Sequence, residues 1–290
     1  MSTPQPALAQ AARYRHPFAG WPGRALQGLL GCSHLTAARR ALTRVLPVPA
    51  LISDVREVVY LSWWVDVRHA PPPPPGHRLF VHDGRTPYTI LTYRHGHFGP
   101  ALAGPLRRIF PSPLQSNWRW YVVPDHATGM STTPLVVFDR NVIDSVMHAA
   151  GARLWSDAMQ PHLAGRFEHV VDADGGHTVI EPGQGSAPAL QAQVRPATAL
   201  VAAWAAGAFT DAAQAMAFLA CQEAAFAVAA DGRLALTHID LPIALSDVQP
   251  LQLEGPVSCP HLAAMGVDLA EAFCFRVPQV PFRVVSERLL

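Results

Sequence analysis

The stretch "VREVVYLSWWVDVRHAPPPPPGHRLFVHDGRTPYTILTYR", residues 55–94, decides the fold class. Its first part, Val55–Val67, is dense in β-branched and aromatic residues, which is typical of a strand. The run Pro71–Pro75 predicts a stiff polyproline segment on the surface. Two apolar runs then flank Asp83-Gly84, a dipeptide that favours a tight hairpin turn. The stretch therefore predicts antiparallel strands joined by short turns.

The same pattern continues outward from this stretch. Residues 166–182 and 223–242 predict two more hairpins, the latter around a second Asp-Gly turn. Helical periodicity or capping predicts helices over 33–46, 141–159 and roughly 208–221. Strands in hairpins with a few helices between them, and no βαβ rhythm, indicate an α+β fold. We expect a mainly antiparallel, β-barrel-like core with flanking helices.

Composition excludes several classes of protein. The 290 residues are 50% apolar and carry a net charge of +1, which lacks the basic face expected of a nucleic-acid-binding protein. All 22 cationic residues are arginine, so no side chain can form a lysine Schiff base. Asp211 and Glu223 interrupt the most apolar window, which argues against a membrane span. Four irregularly spaced cysteines and the lack of a signal peptide favour a reduced, cytoplasmic protein.

Several segments resemble a known family. "TPYTILTYRHGHFGP" followed by "FPSPLQSNWRWYV", then "FDRNVIDSVMHAAGARLWSDAMQPHL" and "FLACQEAAFAVAADGRLALTHIDLP", are similar to the YqjF-like family of bacterial proteins. The resemblance covers residues 55–285 and implies an acetoacetate-decarboxylase-like fold. It also implies one domain over 51–290, with 1–50 as an N-terminal extension containing a short helix. Acetoacetate decarboxylases use a Schiff-base lysine that this chain lacks, so the resemblance implies a fold rather than an activity.

The segment "RHGH" supplies two candidate catalytic residues. On a continuing strand, His95 and His97 would share a face because alternate residues point the same way. They are candidates for acid–base catalysis. A metal site with Glu168 or His169 as third ligand is an alternative, and hydrogen bonding to loop backbone is the structural interpretation. We expect no metal and no cofactor.

The following segment supplies the candidate ligand-binding residues. Gln115, Ser116 and Asn117 offer donors and acceptors in what reads as a proline-fixed loop, and Arg119 follows on a strand with tryptophans on its opposite face. Arg94 ends the preceding strand. Arginine presents a planar fork of donors that fits a carboxylate or phosphate. The alternative is that the amides only satisfy loop backbone, and that Arg94 makes a structural ion pair.

These features lead to three hypotheses for function. The first is a cytoplasmic protein that binds a small anionic or carbonyl-containing molecule in a polar-lined barrel pocket, with turnover left open. The second is a metal-assisted hydrolase or lyase using His95 and His97. The third is a non-catalytic interaction protein that docks through Pro71–Pro75 and the N-terminal extension. The expected partner is a small molecule, with no nucleic acid and no membrane, and the chain is a possible homo-oligomer.

Overall fold

The computed structural model describes residues 13–43, 50–126, 133–229 and 231–290. Within these ranges, fourteen strands form one sheet, and six α-helices and three 3₁₀ segments accompany it. The strands are β1 (Leu51–Asp66), β2 (His77–Leu79), β3 (Arg85–Arg94), β4 (Gly99–Pro100), β5 (Leu114–Pro124), β6 (Leu135–Ile143), β7 (His162–Leu163), β8 (Arg166–Val171), β9 (Gly176–Glu181), β10 (Leu190–Pro196), β11 (Ala224–Val228), β12 (Leu234–Asp240), β13 (Gln249–Leu253) and β14 (Phe273–Leu289). The helices are α1 (Trp21–Leu30), α2 (Ser33–Thr43), α3 (Val146–Trp155), α4 (Ala202–Ala205), α5 (Ala212–Ala220) and α6 (Pro260–Ala263), and the 3₁₀ segments are Val67–His69, Ala101–Ile109 and Leu245–Asp247.

Antiparallel pairing dominates the sheet, as the sequence predicts. The main path of neighbouring strands is β4-β1-β3-β5-β6-β11-β12-β14-β13-β10-β9-β8. Among the described strands, only β7 and β11 pair in parallel, both with β6. Strand β1 also pairs with β14, from Leu51 opposite Val284 to Ser62 opposite Phe273. The pairings from β1 through β3, β5, β6, β11, β12 and β14 therefore return to β1.

Two of the three predicted hairpins form, β8–β9 and β11–β12. The third predicted hairpin, around Asp83-Gly84, is wrong because its first strand, β2, does not pair with β3. The turn at Asp83-Gly84 closes, with the His82 and Arg85 backbones bonded in both directions at 2.9 Å. However, β2 pairs with β5. Both edges of β3 are occupied by β1 and β5, so β3 has no free edge for β2.

Helix and strand boundaries differ from the prediction where tertiary pairing intervenes. The helix predicted over 141–159 is α3 alone, because its first three residues extend β6 and Ser145 caps the helix instead. At the C-terminus a single long strand, β14, continues through Pro278 and Pro281. Pro278 lies opposite Glu57, where the β1–β14 ladder skips a pair, so its missing N–H is tolerated. Helix α1 lies in the predicted extension and was not expected.

Both faces of the sheet are buried. One face packs Trp63, Trp118 and Trp120 against strands β8–β10 and helix α6. The opposite face packs Tyr60 and Tyr121 against helices α4 and α5. We call the latter the α5 face. Polar side chains on the α5 face are consequently enclosed between the sheet and helix α5.

The N-terminal helices pack on the rest of the chain. Tyr14 and Leu30 join a small core with residues of β6, β7 and α3. Arg39 and Arg40 of α2 reach Asp157 at 2.5 and 2.6 Å. No helix in the described ranges is both long and apolar enough to cross a membrane.

The polyproline run lies against the protein along one edge. Pro71 and Pro74 are buried, whereas Pro72 and Pro75 are exposed. This spacing fits the three-residue turn of a polyproline helix. The run is therefore fixed to the surface on one side.

Candidate functional site

Strand β5 carries the centre of the candidate site. Gln115, Asn117, Arg119 and Tyr121 alternate along it and share the α5 face, and all four are buried. The predicted loop at 115–117 is therefore wrong, because these residues pair with β3 and β6 as part of a regular strand. The predicted separation of Arg119 from the neighbouring tryptophans is confirmed.

Arg119 is a buried cation, with 3% of its surface exposed. Its Nε donates to the Tyr121 hydroxyl at 3.3 Å, and its Nη2 donates to the Leu219 carbonyl oxygen at 2.8 Å. Its guanidinium carbon lies 5.6 Å from the ring centroids of Tyr60 and Tyr121. Within the described ranges, Arg119 has no carboxylate partner, although a buried charge ordinarily requires one.

The charge of Arg119 is compensated in part by helix α5. Leu219 lies in the last turn of α5, where unpaired carbonyl groups carry partial negative charge. The Tyr121 hydroxyl also contacts the Leu219 carbonyl, at 3.0 Å. A guanidinium has five N–H donors; two of them are used in these bonds, and the Tyr60 hydroxyl is within hydrogen-bonding reach of a third. Arg119 therefore both holds the end of α5 to the sheet and retains donors for a further acceptor.

A chain of side-chain hydrogen bonds runs beside Arg119. The Ser53 hydroxyl contacts Nδ1 of His95 at 2.8 Å, and Nε2 of His95 contacts Oε1 of Gln115 at 2.8 Å. Gln115 donates to Asn117 Oδ1 at 2.8 Å, and Asn117 donates to the Tyr93 hydroxyl at 3.1 Å. Since Oε1 of Gln115 only accepts, His95 carries its proton on Nε2, and its Nδ1 faces the Ser53 hydroxyl, which also lies 3.2 Å from the Gly96 carbonyl oxygen. From His95 onward, every bond points toward Tyr93.

His95 is held neutral in this chain. Burial lowers its pKa to about 4, against a smaller opposing effect of the hydrogen bond with Gln115. Both ring nitrogens are engaged, and the ring stacks on Phe98 at 4.3 Å. His95 is therefore placed to orient Gln115 and has no free nitrogen for proton transfer or metal binding in this arrangement.

Two tyrosine hydroxyls lie where the chain meets Arg119. Burial raises the pKa of Tyr60 to about 12 and also raises the pKa of Tyr93, whose ionisation Arg119 would favour. Both phenols therefore keep their protons. Among the described residues, no acceptor takes the O–H proton of either one. We refer to Tyr60, Tyr93, Asn117, Arg119 and Tyr121 as the Arg119 cluster.

The remaining predicted site residues lie elsewhere. Arg94 is on the opposite face of β3, where it contacts Glu57 at 3.3 Å and the His169 carbonyl at 3.2 Å. These contacts fit the interpretation that Arg94 makes a structural ion pair. Ser116 also faces away from the Arg119 cluster and accepts from Trp118 Nε1 at 3.0 Å.

His97 does not share a face with His95. Strand β3 ends at Arg94, and His97 adopts a left-handed φ of 52° in the turn that follows. There it contacts Asp54 at 3.1 Å and is partly exposed. Within the described ranges, no three His, Cys, Asp or Glu side chains are grouped to hold a metal ion. His169 uses its nitrogens for Thr178 and the Glu57 carbonyl.

A second polar cluster lies on the tryptophan-lined face and was not predicted as a unit. Asp139 Oδ2 accepts from the Tyr88 hydroxyl and from His261 Nε2, each at 2.8 Å, and Oδ1 accepts from Arg140 at 2.8 Å. Burial would raise the pKa of Asp139, but the bond from His261 and the charge of Arg140 lower it overall. The cluster exists because the β5–β6 register shifts between Trp118 and Arg119, which leaves Asp139 as the extra residue of a bulge.

The tyrosines of the Arg119 cluster were also missed by sequence reasoning. Tyr60 and Tyr93 were assigned only to strand interiors as apolar residues. The sequence could have predicted the strand face on which each tyrosine lies, because Tyr60 precedes Ser62 by two residues and Tyr93 precedes His95 by two. It could not have predicted which faces of distant strands lie next to each other.

Comparison with solved structures identifies the fold. The chain is similar to an acetoacetate decarboxylase, with a TM-score of 0.50 and 13% identity over 84% of this chain and 89% of that chain. It also matches the enduracididine biosynthesis enzyme MppR with HEPES buffer bound, with a TM-score of 0.49 and 12% identity over 85% and 89% of the two chains. An acetoacetate decarboxylase-like enzyme from Sphingomonas wittichii RW1 matches with a TM-score of 0.48 and 12% identity over 83% and 93%.

The first of these similarities confirms the acetoacetate-decarboxylase-like fold expected from the sequence. No protein-family model matches the chain, and no curated protein does. At 13% identity the structural similarity establishes the fold and no residue roles.

Proposed function

We propose that this protein binds a small anionic or carbonyl-containing molecule at the Arg119 cluster. The observation that carries the proposal is a buried guanidinium that has no carboxylate partner among the described residues and contacts only tyrosine hydroxyls and a backbone carbonyl oxygen there. The phenolic protons of Tyr60 and Tyr93 lie beside it. A site that offers several donors and few acceptors favours a ligand rich in acceptor oxygens.

The hydrogen-bond chain supports the same ligand chemistry. Because each member donates to the next, the Tyr93 hydroxyl receives a bond from Asn117 and offers its proton onward. Hydrogen bonds aligned in one direction polarise one another. Tyr93 therefore favours an acceptor such as a carboxylate or carbonyl oxygen over an ammonium group.

Lysine Schiff-base chemistry has no place in this proposal, since the sequence contains no lysine. His95 acts in it as an orienting residue rather than as an acid or base, because its nitrogens are engaged. Membership of the YqjF-like family, a barrel-like enclosure of the site, a cytoplasmic location and homo-oligomer formation are further parts of the proposal. They rest on the sequence motifs, the circular strand pairing and the composition.

Thermal-shift titration with pyruvate, acetate and acetone, and with methylammonium as a cationic control, tests the proposal. A ligand at 100 times its Kd stabilises the folded state by about 2.7 kcal/mol. We expect a rise in Tm with at least one acceptor-rich ligand and none with methylammonium. Arg119→Gln should abolish the rise, and Arg119→Lys should restore part of it.

Arg94→Gln is the matched control, because Arg94 lies outside the Arg119 cluster. Circular dichroism checks that each variant is folded. A rise in Tm that persists in Arg119→Gln, or one that disappears in Arg94→Gln, would contradict the proposed site.

A further inference from the structure

The 3₁₀ segment Ala101–Ile109 displays three large aliphatic side chains to solvent. Leu102, Leu106 and Ile109 are 89%, 67% and 78% exposed. The segment leaves the sheet after β4 and kinks at Gly104, whose φ of 49° and ψ of −128° interrupt the 3₁₀ turns. Three large aliphatic side chains displayed within eight residues mark a surface that contacts something apolar.

The charged residues of this segment are all basic. Ala101–Ile109 contains Arg107 and Arg108 and no aspartate or glutamate. Arg108 is exposed and makes no ion pair with any residue that the structure describes. The nearby Asp54 is already engaged by His97 at 3.1 Å and Arg107 at 3.7 Å. The segment therefore combines an apolar tip with uncompensated positive charge.

We propose that Ala101–Ile109 docks this chain onto an anionic lipid surface, with the aliphatic side chains at the acyl boundary and Arg108 at the head groups. Apolar side chains beside basic ones are the combination that binds such surfaces. Self-association is a poorer fit, since a two-fold contact through this segment would bring two copies of Arg108 together without an acid between them.

The size of the segment points the same way. A stable protein–protein interface takes about 20–30 residues from each partner, whereas this segment has nine. A bilayer accepts aliphatic side chains without matching their shape. The contact proposed is with the surface of the membrane, so it requires no spanning helix. It departs from the sequence-based expectation of no membrane partner.

Vesicle flotation of the full chain tests the inference. We expect co-flotation with phosphatidylserine–phosphatidylcholine vesicles and little with pure phosphatidylcholine. The double variant Leu102→Glu/Leu106→Glu should lose flotation. Arg108→Gln should weaken it by about fivefold, because one basic residue near an anionic surface contributes that much.

Val201→Glu is the control, since it places an acid at another exposed apolar residue outside the segment and should float as wild type does. All of the substituted side chains are exposed: Leu102, Leu106, Arg108 and Val201. Unchanged circular dichroism of each variant establishes that its folding is intact. The inference is overturned if wild type fails to float with anionic vesicles, if the double variant floats equally well, or if sedimentation shows an oligomer that the double variant dissolves.

Discussion

Arg119 shows how much of a residue's role depends on what lies across the sheet. The sequence places this arginine on a strand with tryptophans behind it, and that orientation is confirmed. Of its partners, Tyr121 lies two residues further along the chain, whereas Tyr60 and Leu219 are distant in sequence. The partners could not be predicted, because strand pairing and the placement of α5 bring them together, and no local pattern encodes either.

The buried histidines predict a pH dependence of stability. Burial lowers the pKa of both His95 and His169 from 6.5 to about 4 in the folded protein. As pH falls below 6.5, the unfolded chain binds protons that the folded chain does not, so the free energy of unfolding decreases. The loss from His95 alone amounts to about 3 kcal/mol by pH 4.

Urea unfolding at pH 6.5, 5.5 and 4.5 measures this effect. His95→Gln should reduce the loss of unfolding free energy between pH 6.5 and pH 4.5 by about 2 kcal/mol, while His169 and His148, whose pKa values burial also lowers, retain their own shares. His97→Gln changes a partly exposed histidine of the next turn and should keep the wild-type pH profile. An equally steep profile in His95→Gln would show that His95 does not titrate as its burial requires.

At the scale of elements, the fold depends on how segments dock. Helix α5 is positioned over the sheet by the Leu219 carbonyl, which accepts from both Arg119 and Tyr121. Helix α2 is tied down by Arg39 and Arg40, which converge on Asp157. The sequence correctly predicts that helices exist near these positions, through capping and periodicity. It does not show the residues that hold them.

Asp157→Asn should loosen α2. The Arg39–Asp157 pair is largely buried, and removing one partner of a buried pair costs about 3 kcal/mol. We therefore expect a lower urea midpoint and faster proteolysis within residues 33–43. Asp231→Asn, which removes the more exposed partner of Arg40, should cost less than about 1 kcal/mol. Equal effects of the two variants would show that burial does not set the strength of these ion pairs.

At the scale of the molecule, the circular pairing of seven strands joins distant parts of the chain. Strand β1 pairs with the last strand, β14, across more than 200 residues. Tyr14, which precedes α1, and Leu30 at the end of α1 then pack with Ala149 of α3. The described residues 13–43 thus pack on the rest of the chain, within the segment that was predicted as an extension.

Deleting residues 1–49 should therefore destabilise the remainder. It removes the buried Tyr14 and Leu30 from their core and leaves Asp157 without its two arginines. Loss of the two apolar side chains alone corresponds to about 3–6 kcal/mol. Urea unfolding should show one transition at a lower midpoint. An unchanged midpoint would show that these helices form an independent appendage.

Three things about this protein are determined by its sequence alone. The β-rich, turn-punctuated pattern specifies an α+β class with antiparallel pairing, because alternation and Asp-Gly turns are local properties. The absence of lysine removes Schiff-base catalysis by a lysine side chain. The spacing of Gln115, Asn117 and Arg119 puts them on one face once they lie in a strand.

Tertiary structure alone decides which of the polar residues meet. It unites Ser53, His95, Asn117 and Tyr93 and turns Arg94 to the other side. It also creates the Asp139 bulge and directs β2 to β5. The physical reason is that each strand has two edges and two faces, and long-range pairing determines what occupies them.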